Sequence, residues 1–173
     1  LSHIVQKPLF NSLGVAAAQA AITHVNSAQR LQSALTLGAS NNEDDTIYLA
    51  AGTYKGNFNF TSTEDRGLTI LAEPGTPNTA VLLDGGGTGA ALNIASTGAR
   101  VVTIRGITLL RNVGAYWSGT LRLQSGSGGD VIIDGCRFVM PDIASATGLG
   151  LHAWGANSLT LTNSDFRGNG LPS

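Results

Sequence analysis

Six side chains in the C-terminal half have the chemistry of a sugar-binding face: Tyr116, Trp117, Arg122, Gln124, His152 and Trp154. Aromatic rings cover the apolar faces of pyranoses, while guanidinium, amide and imidazole groups hydrogen-bond the hydroxyls. The competing reading is that Trp117 and Trp154 close turns over the core. A second cluster, Glu43-Asp44-Asp45, offers the oxygen ligands that calcium takes, although a polar loop ahead of a buried strand has the same composition. His152 alone is no catalytic signal. The lone Cys136 excludes an internal disulfide and any multi-cysteine zinc site, and reads as a small buried apolar group.

Other motifs carry less. Leu82 to Leu92, "LLDGGGTGAAL", is glycine-rich like a phosphate loop, but a strand pattern follows it where a dinucleotide site requires a helix. No organic cofactor is therefore expected. Asn59-Phe60-Thr61 matches the glycosylation sequon on an outward strand position. Lys plus Arg number 10 against 11 Asp plus Glu, for a net charge of -1 and no basic run, which argues against nucleic acid as a partner. No stretch reaches the ~20 apolar residues of a transmembrane helix.

These side chains must be positioned by strands. Charged residues make up 12% of the 173, hydrophobic residues 42%, and there are 23 glycines, a composition for short strands joined by glycine turns. One pattern recurs four times: "LTILAE" from Leu68, "VTIRGITL" from Val102, "VIIDGCRF" from Val131 and "LTLTNSDF" from Leu159, spaced by 34, 29 and 28 residues. A second series, Phe58, Leu92, Leu121 and Leu149, advances by the same 34, 29 and 28. Two series moving in step predict a solenoid in which each strand pairs in parallel with its equivalent one coil away.

Alternation within each copy sends Ile104, Ile133 and Leu161 inward. Ile107, Cys136 and Ser164 form one further inward column, and Leu109, Phe138 and Phe166 another. Gly106, Gly135 and Asn163 align at a bend that needs positive φ. Arg105, Asp134 and Thr162 align outward and allow a charge pair between coils. The helix candidate is Ser27 to Leu37, capped by Ser27, ended by Gly38, with Ala28, Leu31, Ala34 and Leu35 on one face. It is expected to plug the first coil.

The segments "AQRLQSAL", "DDTIYLAAGTYKGNF", "LTILAEPG", "VLLDGGG" and "VTIRGITLLRN", across roughly residues 21 to 169, resemble the right-handed parallel β-helix superfamily. That superfamily holds pectate lyases, pectin methylesterases and bacterial surface proteins of the polymorphic outer-membrane type. The resemblance implies an all-β, right-handed parallel β-helix of about five coils with a short N-terminal capping helix. The lyase, esterase and polygalacturonase signatures of the superfamily are missing from this stretch. The expectation is therefore a non-catalytic module of a secreted or cell-surface bacterial protein, a structural or adhesive scaffold binding polysaccharide or cell-surface glycan.

Two alternatives stand beside it: the N-terminal part of a polysaccharide lyase or pectin esterase with its site on later coils, and a subunit that self-associates through its coil ends. The second draws on "RGNGLPS", which contains no recognisable cap. Residues 1 to 20, with Ala18-Gln19-Ala20 resembling a signal-peptidase site, read as a signal remnant or as an ordered strand or cap. Residues 21 to 173 are expected to form the parallel β-helix, with its capping helix at residues 27 to 37.

Overall fold

The structure, a computed structural model, describes residues 20–86, 89–98, 100–110, 119–125, 129–140 and 149–168. It is mostly β, with parallel sheets and one short α-helix. The chain opens with β1 (Ala21–Val25), then α1 (Ala28–Gly38). Strands then follow in threes: β2 (Asp45–Leu49), β3 (Gly52–Lys55) and β4 (Phe58–Ser62); β5 (Leu68–Ala72), β6 (Val81–Asp84) and β7 (Leu92–Ser96). Next come β8 (Val102–Arg105), β9 (Thr108–Leu110) and β10 (Gly119–Ser125), then β11 (Asp130–Asp134), β12 (Arg137–Val139) and β13 (Leu149–Trp154). Two strands complete the order, β14 (Ser158–Thr162) and β15 (Asp165–Arg167).

Strands β5 to β12 each pair in parallel with the strands three places before and after them in this order, while β2, β3 and β4 pair with the strand three places after and β13, β14 and β15 with the one three places before. Three sheets result: β1-β2-β5-β8-β11-β14, β3-β6-β9-β12-β15 and β4-β7-β10-β13. The neighbours of β2 are β5 on one side and, on the other, β1, a strand the repeat pattern does not reveal.

The core is a stack of registered columns. Ile47, Ile70, Ile104 and Ile133 are buried and directly aligned in the first sheet. Tyr54, Leu83, Leu109 and Phe138 do the same in the β3 sheet, and Phe138 stacks on Phe166 with ring centroids 4.5 Å apart. Ile107 and Cys136 are fully buried. Burial pushes the Cys136 thiol up to about 11, so it packs as an unreactive apolar group.

The bend column behaves as its composition requires. Gly106, Gly135 and Asn163 have φ of 65°, 62° and 50°, the left-handed region open to Gly and Asn. A Cβ at Gly135 would have no neighbour closer than the Gly106 nitrogen at 4.0 Å, so only the backbone conformation resists substitution. Gly135→Asn is expected to cost only a few tenths of a kcal/mol, and Gly135→Val ~1–2 kcal/mol. Urea denaturation of the two variants should separate them; equal midpoints would remove the conformational argument.

Outside the same bend, Arg105 Nε lies 3.0 Å from Asp134 Oδ2. Asp134 Oδ1 accepts from Asn163 Nδ2 and Thr162 Oγ1, both at 2.9 Å, which holds its carboxyl below the usual range.

Helix α1 begins where Ser27 Oγ accepts from the Arg30 N–H, and buries Leu31, Ala34 and Leu35. Its role at the sheet edge is specific. β4 is the edge strand of its sheet, and the Gln32 amide donates to Asn59 O at 2.9 Å and accepts from Asn59 N at 3.0 Å. One side chain thereby replaces a missing strand. Gly38 is still helical, not a positive-φ terminator: the helix closes on Ala39, and a Cβ at Gly38 would sit 2.7 Å from Asp45 Oδ2. The glycine is required by close approach.

One alignment is corrected. Leu121 registers with Leu151, not Leu149, so the column reads Phe58, Leu92, Leu121, Leu151 and the last step is 30 residues. A slip of two residues returns every side chain to the same face, so alternation cannot distinguish the two registers.

Candidate functional site

The outward face of β4, β7, β10 and β13 carries two columns. The first is Asn59, Asn93, Arg122 and His152; the second is Thr61, Ala95, Gln124 and Trp154. The two-residue slip decides this site, because it places Trp154 on a strand beside Gln124 instead of in a turn over the core. Leu121 and Leu123 point inward and are buried, so their neighbours Arg122 and Gln124 face out.

The geometry is close-set. The Arg122 guanidinium carbon lies 5.3 Å from the Trp154 ring centroid, within cation–π range. The His152 and Trp154 rings are 4.6 Å apart and tilted by 33°. Arg122 is half-buried, and its Nε has no hydrogen-bond partner among the described residues. Up the column, Asn93 Nδ2 donates to Asn59 Oδ1 at 3.2 Å, and Asn59 Nδ2 donates to Asn57 O at 3.0 Å. The sequon asparagine is therefore already engaged in an amide ladder.

Four of the six candidates, Arg122, Gln124, His152 and Trp154, are thus brought together. Tyr116 and Trp117 lie outside the described residues, as do residues 1–19 and the side chain of Leu149. Among the two outward columns there is no carboxylate. The surface can stack on an apolar ligand face and hydrogen-bond its polar edge.

The acidic cluster is dispersed. Asp44 Oδ1 accepts from Gly67 N at 2.6 Å, while Asp45 turns inward and accepts on Oδ1 from Asn41 Nδ2 at 2.8 Å. The Glu43 N–H donates to Asn41 Oδ1 at 3.0 Å, closing the loop locally. Asp44 precedes β2 and is engaged by Gly67, whereas Asp45 is buried at the start of β2 and engaged by Asn41, so the two carboxylates serve different partners. Among the described residues no three His, Cys, Asp or Glu side chains converge as a metal requires.

Two arrangements have no signal in local sequence. On the outward face of the first sheet, His24 stacks on Tyr48 at 4.9 Å, and its Nδ1 lies 3.2 Å from Glu73 Oε1. Arg30 lines the same small cleft of about 230 Å³. Such an exposed pair is worth ~0–1 kcal/mol.

The other arrangement is internal. Arg100, 1% exposed, donates from Nη2 to Ser62 Oγ at 2.9 Å and from Nε to Glu64 O at 3.3 Å, with its guanidinium carbon 4.9 Å from the Phe60 ring centroid. Burial lowers the Arg100 pKa, and the charges of Glu64 and Asp45 oppose that shift. Periodicity does not find it, because its members come from four separate segments.

No protein-family model, curated protein or solved structure matches the chain. Among the described residues no helix is long and apolar enough to cross a membrane.

Proposed function

We propose that the chain is a right-handed parallel β-helix of about five coils, similar to the pectate-lyase-like superfamily, acting as a non-catalytic glycan-binding scaffold of a secreted or cell-surface protein. Three parallel sheets whose strands recur in fixed order support the β-helix reading. The single observation that carries the binding role is Trp154 on the outward sheet face, with Arg122, His152 and Gln124 around it. A ring bracketed by hydrogen-bonding groups on a rigid sheet is pre-organised, which reduces the ordering cost of binding an extended sugar chain.

The test is direct titration of the chain against neutral and acidic polysaccharides by calorimetry. At least one is expected to bind, and Trp154→Ala is expected to weaken that binding ~10-fold or more. Retained affinity in Trp154→Ala would remove this face from the reading, and no binding to any polysaccharide would remove the glycan role.

A second reading rests on a different observation. Leu159, Leu161 and Phe166, at 45%, 41% and 44% exposure, continue the buried columns of Val131, Ile133 and Phe138 into solvent. A further strand laid on β14 and β15, from more chain or from a second copy, would bury them. Molar mass by light scattering separates a monomer from an end-to-end assembly.

A further inference from the structure

The N-terminal end of the core contains a charged corner. In the first sheet Asp45 stands in an inward column between Ala21 and Leu68, continued by Val102, Val131 and Leu159, so a carboxylate occupies a position that is otherwise apolar. It is 6% exposed. Arg100 reaches the same corner from the segment before β8, and Glu64 from the segment after β4. Glu64 Oε1 accepts from Asn42 N at 2.8 Å, and its Oε2 lies 3.7 Å from Arg100 Nη2.

Three buried atoms in this corner have no hydrogen-bond partner among the described residues: Asp45 Oδ2, Glu64 Oε2 and Arg100 Nη1. Buried polar groups are almost always paired, and an unpaired charged one costs more than a neutral one. No ion pair directly joins Arg100 to Asp45, although the guanidinium charge acts on the Asp45 carboxyl.

The chemistry of the three atoms selects what belongs between them. A cation would meet the N–H of Arg100, and an anion would meet two carboxylates. Only a small ligand that both accepts and donates satisfies all three, and it must be small enough for a closed corner. We propose that one water molecule is bound here, accepting from Arg100 Nη1 and donating to Asp45 Oδ2 and Glu64 Oε2. Three partners is the usual complement of a buried water. The water joins β2 to the segments that follow β4 and precede β8, so three successive repeats share one internal hydrogen-bond network at this corner.

The deciding experiment is a crystal structure of the unaltered chain at about 1.5 Å or better, where such a water is visible. The expected result is one ordered water at about 2.7–3.2 Å from both Arg100 Nη1 and Asp45 Oδ2. A direct Arg100–Asp45 ion pair, or no ordered density between the two groups, overturns the proposal. Water relaxation dispersion in solution gives an independent reading. One long-lived water should be present in the parent and missing in Asp45→Leu, which restores the apolar residue of that column. An unchanged number in a folded Asp45→Leu variant also overturns it.

Discussion

Ile104→Asp is expected to leave the chain without a cooperative folded state at 25 °C. Ile104 is fully buried and stands between Ile70 and Ile133 in the central column of the first sheet. Losing its apolar burial removes ~1.5–3 kcal/mol. The carboxylate that replaces it has only aliphatic neighbours in register and must be desolvated or protonated, which brings the total beyond ~4–5 kcal/mol. Domains of this size have only ~5–15 kcal/mol to lose. Ile104→Val is the control and should cost ~0.5–1.5 kcal/mol. Circular dichroism with a thermal melt checks both; a Tm for Ile104→Asp within a few degrees of the parent would contradict the inward placement.

Arg100→Met should be the second most damaging change, at ~3–5 kcal/mol in urea denaturation, because it removes the cation from a buried charged cluster and leaves two carboxylates behind. The loss should be recovered in large part by adding Asp45→Leu and Glu64→Gln, since replacing a whole buried ionic set by uncharged groups is often neutral. Acid should also favour the single variant relative to the parent. Desolvation already raises the Asp45 carboxyl above 3.8, and the Arg100 charge is among the influences that restrain that rise. With the cation gone, the folded state holds the Asp45 proton more tightly than the unfolded one. Stability from this group is then gained as the pH falls through the raised pKa toward 3.8 and lost as the pH rises. A deficit in Arg100→Met below ~1 kcal/mol and independent of pH would mean that the guanidinium does not neutralise this corner.

Both variants test features of different legibility. The Ile104 column can be read from the sequence because period-two alternation and a repeat of about thirty residues are properties of the chain itself: each strand must bury one face, and equivalent strands must bury the same face. The same reasoning locates Gly106, Gly135 and Asn163 at one bend, since a left-handed residue is a local requirement met by few side chains. It also pairs Arg105 with Asp134, which follows once strands are aligned.

Helix α1 is likewise marked by its own cap and apolar stripe. The strand β1 is not, because five residues with Ile22 exposed and only Val25 buried carry no alternation to detect.

Register between distant strands is a different kind of quantity. The pairing of Leu121 with Leu151 depends on how the intervening chain is taken up, and a slip of two leaves the inward and outward faces unchanged. Composition and alternation are blind to it, yet it moves Trp154 from a turn onto the outward face beside Gln124. The Arg100 corner is further out of reach: Asn41, Asp45, Ser62, Glu64 and Arg100 meet only because three repeats stack, and no spacing along the chain marks them as neighbours. Local preferences and face periodicity are set by each residue's immediate chain neighbours, and so belong to the sequence. Which outward side chains form a surface, and which buried charges find one another, is set by stacking distant segments at about 4.8 Å per strand, and so was decided by the tertiary structure alone.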